Sequence, residues 1–296
     1  MWMMLALGAV LVMSLSNGLD SFLSNSRFKN GLTLALFCAF LNIVFIPIVA
    51  IIDPPGVPPL SIVPIFLAAS LLDVLFLIPY FKAMQVADTS VVTALFGLTR
   101  IFTPILAYWI VDERLTAAHY IGFILIAVGG IALTINPRNL FKLHKVFWLM
   151  LSCCLMVSLN SVLYKYQLER VSWGTSMIWG SLYTVPWLLI ISLGLPKIRK
   201  QMEESWSSFR SSWHIILANE AITFTSISMS MYAIFLVPVS QASSIWGVQP
   251  FVVLGLAHLL SWLGIRGMVE DVTTGSTVKK VLLFAVMLVG VALVRE

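Results

Sequence analysis

The chain consists largely of apolar runs that are each long enough to cross a lipid bilayer. A helix needs roughly 17–25 residues to cross about 30 Å of hydrocarbon. Strands of a membrane barrel would be shorter, about 10 residues, and would alternate in polarity. Because a helix satisfies its own backbone hydrogen bonds in lipid, the runs predict an all-α integral membrane protein with ten transmembrane helices. The runs, numbered one to ten along the chain, are 2–23, 31–52, 61–81, 88–111, 116–135, 145–165, 174–194, 212–235, 239–264 and 278–294.

Composition supports the same class and excludes others. Of the 296 residues, 59% are apolar and 10% charged, with a mean hydropathy of +0.97, whereas soluble domains carry about 25% charged residues. This excludes an ordinary soluble enzyme, a disordered chain and a nucleic-acid binder. The net charge of +5 comes from basic residues in the gaps between runs, where anionic lipid headgroups lie. We therefore predict a multi-pass membrane protein in contact with lipid, located in the plasma (inner) membrane if the cell is bacterial.

The ten runs divide into two sets of five with matching residues. Asn17 follows Met-Ser-Leu-Ser in run one, and Asn160 follows Met-Val-Ser-Leu in run six. An odd number of spans in each half forces the halves into opposite orientations, which predicts two inverted repeats, 1–137 and 138–296, with a substrate site near the midplane between them. A shift of 150 residues also superposes Ala83 on Ala233, Ser90 on Ser240, Gly97 on Gly247 and Ala107 on Ala257.

Three charged residues lie well inside the runs. A charge at the bilayer centre costs about 2.5–3.5 kcal/mol on insertion scales, so such residues are functional candidates. Asp73 or Glu220 could carry a coupling proton, because burial favours the neutral form of a carboxylate. Arg100 could bind a substrate carboxylate or phosphate. The structural alternative is a buried ion pair between Asp73 and Arg100.

Uncharged polar residues extend the candidate substrate site. The matched positions of Asn17 and Asn160 suit a site at the repeat axis, although amides also join helices for about 0.6 kcal/mol each. Trp246 and Gln249 share a helix face, which suits an organic solute but also ordinary packing. Two further groups, Asp20 and His258, fit an interfacial or helix-contact role better. The three cysteines, Cys38, Cys153 and Cys154, lie in apolar runs and are expected to be packing residues.

The chain resembles the drug/metabolite transporter superfamily, in particular its EamA-type members with ten helices. The resemblance rests on Tyr80-Phe-Lys-Ala83, on Asp112-Glu113-Arg114-Leu115-Thr116 and on the second-half counterparts Tyr232-Ala233 and Pro250. It implies that runs one, three, four, six, eight and nine surround a central path. It also implies small organic substrates such as amino acids, purines, drugs, sugars or choline-like cations.

The chain departs from the family pattern in several places. The family usually has Gly-Glu where this chain has Asp112-Glu113, and the second half has Gly264-Ile-Arg-Gly near the expected Glu-Arg-Leu-Thr step. The family often has a proline near the position of Arg100. Arg100 is therefore a feature of this chain, and it argues for an anionic or zwitterionic substrate.

The orientation of the chain has two interpretations. Thirteen of the 18 lysines and arginines fall in or next to the gaps after the odd-numbered runs, which by the positive-inside rule puts both termini outside. Members of the resembled family are commonly drawn with both termini in the cytoplasm.

These observations predict a secondary transporter that moves a small organic metabolite or drug by alternating access, coupled to protons or driven by exchange. The alternative is an intramembrane enzyme acting on a lipid. The sequence has none of the G-x-x-x-x-G-K-[ST], H-E-x-x-H or G-x-S-x-G motifs, and its four histidines have no ligand spacing. We therefore expect no enzymatic activity, cofactor or metal, and a monomer or homodimer.

Overall fold

The computed structural model describes residues 1–112, 116–134, 140–262 and 273–295, and every regular element in these ranges is a helix. This confirms the all-α prediction. The helices are α1 (Trp2–Ser26), α2 (Gly31–Asn42), α3 (Ile46–Ile52), α4 (Val63–Leu75), α5 (Leu77–Met84), α6 (Thr89–Leu95), α7 (Thr99–Val111), α8 (Ala117–Thr134), α9 (Leu140–Leu168), α10 (Trp173–Gly194), α11 (Pro196–Leu236), α12 (Val239–Ser244), α13 (Gln249–Trp262) and α14 (Thr274–Arg295).

Helices occupy all ten apolar runs, and seven segments within the described ranges are long and apolar enough to cross a membrane. The helices α8, α11 and α14 are not among the seven. The protein is thus a multi-pass membrane protein by helix length and composition, while ten spans remain a prediction. The seven segments are Trp2–Ser26, Gly31–Ile52, Leu60–Met84, Thr89–Val111, Lys145–Leu168, Trp173–Gly194 and Val239–Trp262.

Short 3-10 turns interrupt several of the runs. Ile43–Phe45 joins α2 to α3, Phe96–Leu98 joins α6 to α7, and Ile245–Val248 joins α12 to α13. Prolines at the first turn begin α3, α4 and α11, where a missing N–H costs nothing. Side chains begin two others: Asn30 caps α2, and Ser172 caps α10.

Most of the larger helix contacts join the two halves of the chain. Helix α1 packs on α11 and α13, and α9 packs on α4, α5 and α7. Helix α2 packs on α11, α4 on α10, and α8 on α14. The predicted boundary between the halves, at 137 and 138, lies outside the described residues, as do Glu113, Arg114 and Leu115 and the segment from Gly264 to Gly267.

Two apolar clusters lie towards opposite ends of the bundle. One contains Leu34, Phe81 and Met150, and the other contains Val162 and Phe224. Polar side chains collect between these clusters, so the packing leaves room for a site at intermediate depth.

The loop after α3 docks on the first turn of α10. The backbone N–H of Gly174 donates to Asp53 Oδ2 at 2.6 Å, and the N–H of Gly56 donates to Thr175 Oγ1 at 2.9 Å. A Cβ at residue 174 would collide with the backbone carbonyl of Asp53. The loop therefore approaches closely only because residue 174 has no side chain.

We predict that Gly174→Ala lowers the melting temperature of the purified protein, at a cost of about 1–3 kcal/mol for an overpacked site. Gly194→Ala is the matched control on the same helix, because nothing lies within 4 Å of its added Cβ. The control should melt at or slightly above the wild-type temperature, since alanine is the better helix former. Melting is measured by circular dichroism. An unchanged melting temperature in Gly174→Ala would contradict the close approach.

Candidate functional site

A cavity of about 130 Å³ lies between the two apolar clusters. Its described lining comes from α1, α2, α4, α5, α9, α10 and α11, and so from both halves of the chain. In terms of the runs these are one, two and three with six, seven and eight. The resemblance implied runs four and nine in place of two and seven. Run four is instead tightly packed, with Val92, Ala94 and Leu95 fully buried.

Asp20 is buried at the cavity, and neutral donors occupy both of its oxygens. Tyr80 Oη donates to Oδ2 at 2.7 Å, and Asn219 Nδ2 donates to Oδ1 at 2.7 Å. The Tyr80 hydroxyl also lies 3.0 Å from Asn17 Oδ1, but its one proton serves a single acceptor. Turning over the Asn17 amide would place Nδ2, which otherwise has no partner among the described residues, on the phenol oxygen. The Asn17 amide then donates to the phenol oxygen while the phenol donates to Asp20.

Asp73 has the same kinds of partner on another pair of helices. Asn160 Nδ2 donates to Oδ1 at 2.5 Å, and Tyr164 Oη donates to Oδ2 at 2.7 Å. These bonds join α4 to α9. The structural alternative considered for Asp73, an ion pair with Arg100, is not formed, because the Arg100 guanidinium donates to the Phe96 carbonyl and Thr99 Oγ1 instead.

Glu220 is the third carboxylate of the cavity, and its donors are weaker. Asn42 Nδ2 donates to Oε2 at 3.2 Å, and the Cys38 thiol is the other polar neighbour of this carboxylate from α2. A thiol is a poor donor, and 3.2 Å is long for a charge-assisted bond. The side chain is 6% exposed. Glu220 is thus buried with more unused acceptor capacity than either aspartate.

Arg100 lies outside this cavity. It is 2% exposed, and its Nη1 donates to the Phe96 carbonyl at 2.8 Å and to Thr99 Oγ1 at 3.0 Å. Its Nε and Nη2 have no partner in the described part of the chain. With Trp246 and Pro250 it lines a separate space of about 10 Å³, which is room for one water molecule.

The seven residues that the sequence put forward therefore fall into three groups. Asp73 and Glu220 line the cavity. Asn17 and Asn160 lie beside it, against Tyr80 and Asp73. The last three, Arg100, Trp246 and Gln249, are not part of its lining, and Gln249 is buried in α13.

Sequence reasoning missed two prominent groups of the cavity, Asp20 and Tyr164. The sequence predicts an interfacial or helix-contact role for Asp20, which does join helices but also lines the cavity. A signal for both was present in the spacing. Asp20 follows Asn17 by three positions and Tyr164 follows Asn160 by four, so each pair shares a helix face.

Comparison with known proteins agrees with the fold. The sequence model of the EamA-like transporter family matches residues 1–135. The chain superposes on a solved crystal structure, described only as that of a protein, with a TM-score of 0.61. The sequence identity is 14%, and the superposition covers 99% of this chain and 95% of the other. At that identity the likeness shows a shared fold alone. A search of curated proteins finds no match.

The fold and the site thus define a multi-pass membrane protein with a polar internal cavity. Residues 1–135 are similar to the EamA-like transporter family, in agreement with the resemblance that the motifs indicated.

We predict that Arg100→Met leaves solute binding unchanged, because the guanidinium does not line the cavity. The melting temperature should stay the same or rise. Among the described residues Arg100 is a buried cation without a carboxylate partner, and an apolar side chain of similar length in place of such a charge is often stabilising. Both quantities can be measured in one thermal-shift titration of purified protein. If Arg100→Met is no longer stabilised by the ligand, Arg100 takes part in solute binding and the prediction is wrong.

Proposed function

We propose that the protein is a secondary transporter that moves a small organic solute by alternating access, with the cavity as its substrate site. The observation that carries the proposal is the convergence of three carboxylates from both halves, Asp20, Asp73 and Glu220, on one internal cavity. Carboxylates inside a membrane protein are expensive and mark substrate or proton pathways. The family match speaks for transport over the alternative of an intramembrane enzyme acting on a lipid.

We also propose the ten-span arrangement as two inverted repeats, 1–137 and 138–296. The helix packing supports it, because exchanging the halves converts one set of contacts into the other. The contact of α1 with α11 corresponds to that of α9 with α4 and α5, and α13 on α1 corresponds to α7 on α9. The 3-10 turns Phe96–Leu98 and Ile245–Val248 also correspond.

Polar contacts between helix ends suggest how access alternates. Asn25 Nδ2 donates to the Met84 carbonyl at 3.1 Å, which joins the end of α1 to the end of α5. Lys165 Nζ donates to the Ile234 carbonyl at 3.2 Å, which joins the last part of α9 to that of α11. A shift of 150 residues superposes Met84 on Ile234. In the inverted arrangement the two contacts lie at opposite faces of the membrane, and alternating access requires them to break in turn.

Glu220 is the best-placed carboxylate to carry a coupling proton. Both oxygens of Asp20 and of Asp73 accept short bonds, of 2.5–2.7 Å. Glu220 accepts one long amide bond and a thiol contact, so fewer donors stabilise its charged form and less is lost when it takes up a proton. Asp73, the other candidate from the sequence, would lose more stabilisation of its charged form, because two short bonds from an amide and a phenol support that form.

We predict that Glu220→Gln abolishes uptake driven by a pH gradient and retains solute exchange, because a neutral amide cannot carry the proton. The test uses the full-length protein in proteoliposomes with a radiolabelled solute. That solute is chosen by screening compounds for their effect on the melting temperature of the purified protein. A ligand present at a hundredfold excess over its Kd stabilises the folded protein by about 2.7 kcal/mol.

Glu203→Gln is the matched control, with the same change on the same helix at a side chain that is 63% exposed. It should keep both activities. Equal loss of uptake and exchange in Glu220→Gln would remove the coupling role and leave a binding or structural one. Absence of exchange by the wild-type protein for every solute that stabilises it would overturn the transporter proposal.

A further inference from the structure

We infer that the transported solute is a small organic ammonium ion, bound by the carboxylates and aromatic faces of the cavity. The inference rests on the proposed function and names its substrate class. It replaces the anionic or zwitterionic substrate that Arg100 suggested.

The charge of the cavity is the first argument. Asp20, Asp73 and Glu220 line it, and no lysine, arginine or histidine does so within the described part of the chain. The hydrogen bonds to the aspartates come from asparagine and tyrosine side chains, which donate protons but add no charge. A cation entering the cavity therefore meets carboxylates without counter-ions, whereas a carboxylate or phosphate would meet only like charge.

The aromatic lining is the second argument. Five aromatic side chains line the same cavity, and the faces of aromatic rings carry partial negative charge that attracts ammonium groups. Tyr80 and Phe81 pack edge to face with centroids 5.0 Å apart. Carboxylates and ring faces together form an environment that suits an alkylated or primary ammonium. The five rings belong to Phe76, Tyr80, Phe81, Tyr164 and Phe224.

The size of the cavity limits the solute. A volume of about 130 Å³ is well below the 300–1,000 Å³ or so of pockets that take drug-sized ligands. We therefore expect an ammonium ion with few heavy atoms, not a drug with several rings.

Exchange with a proton follows from the surroundings of Glu220. The groups that face it are Asp20 from α1 and Cys38 and Asn42 from α2. Across the cavity are Asp73, Tyr80 and Tyr164, while the lining from α10 is Met177, Ser181 and Thr184, none of which titrates. A proton and an ammonium ion would thus compete for one carboxylate: the cation enters as the carboxyl O–H bond breaks, and the proton leaves to water.

The test compares probes of one shape and different charge on the purified full-length protein. Choline and butylammonium are the cations. Dimethylbutanol, in which carbon replaces the choline nitrogen, and butanol are the neutral matches, and glycine betaine and butyrate carry a carboxylate. In calorimetric titrations we expect the cations to bind about tenfold more tightly than their neutral matches, or better. Choline binding should also release a proton into a weakly buffered solution.

Variants at Glu220 and Glu203 distinguish an effect on cation binding from an effect on the stability of the protein. Glu220→Gln should bind choline about tenfold more weakly and release no proton. Glu220→Asp should restore proton release, and Glu203→Gln should behave as wild type. The melting temperature of Glu220→Gln is measured in parallel to detect any unfolding, and the proton release of Glu220→Asp is a second test that does not depend on Glu220→Gln.

The outcomes distinguish the two proposals. Binding of neutral or carboxylate probes at least as tightly as the cations, or no binding of either cation, would overturn the ammonium class. If proteoliposomes then take up whichever probe binds more tightly, the transport function is still supported although the ammonium class is wrong. Tight binding of choline with no exchange across the membrane would support the ammonium site and overturn the transport function instead.

Discussion

The centre of the protein depends on hydrogen bonds from neutral donors to carboxylates in an apolar environment. Asp20 accepts bonds from α5 and α11, and Asp73 accepts two bonds from α9. A hydrogen bond to a charged group contributes about 1.5–3 kcal/mol, and an unpaired charge at this depth would cost more. Each aspartate therefore holds its helices together, so the contacts that stabilise the bundle are also the contacts that form the cavity.

Neutral donors have a consequence that an ion pair would not have. A guanidinium bound to Asp73 would cancel its charge and compete with any incoming cation. Amide and phenol donors stabilise the carboxylate while leaving its negative field in the cavity. They can also release an oxygen without leaving a second buried charge behind. This suits a site that must be ready for a ligand and stable without one.

The helices could be predicted from the sequence because they follow from the lengths of the apolar runs. The site could be predicted only in part. Local spacing shows which residues share a face of one helix, but the partner of Asp20 on α11 is 199 positions away, and helix packing alone brings the two together. Cys38 was expected to be a packing residue for the same reason. Nothing in its own run indicates that it faces Glu220.

Arg100 shows the limit of reasoning from polarity alone. A charge inside a span is a good indication of function, but it does not show which cavity the side chain enters. The 3-10 turn Phe96–Leu98 precedes Arg100, and the guanidinium folds back on the Phe96 carbonyl at that turn. Phe96 would correspond to Trp246 in the proposed repeat, and Trp246 lines the same small space. The charge of Arg100 is therefore held where runs four and nine are interrupted, separate from the cavity between the other runs. The carboxylates keep their field in that cavity because the one buried guanidinium among the described residues is directed elsewhere.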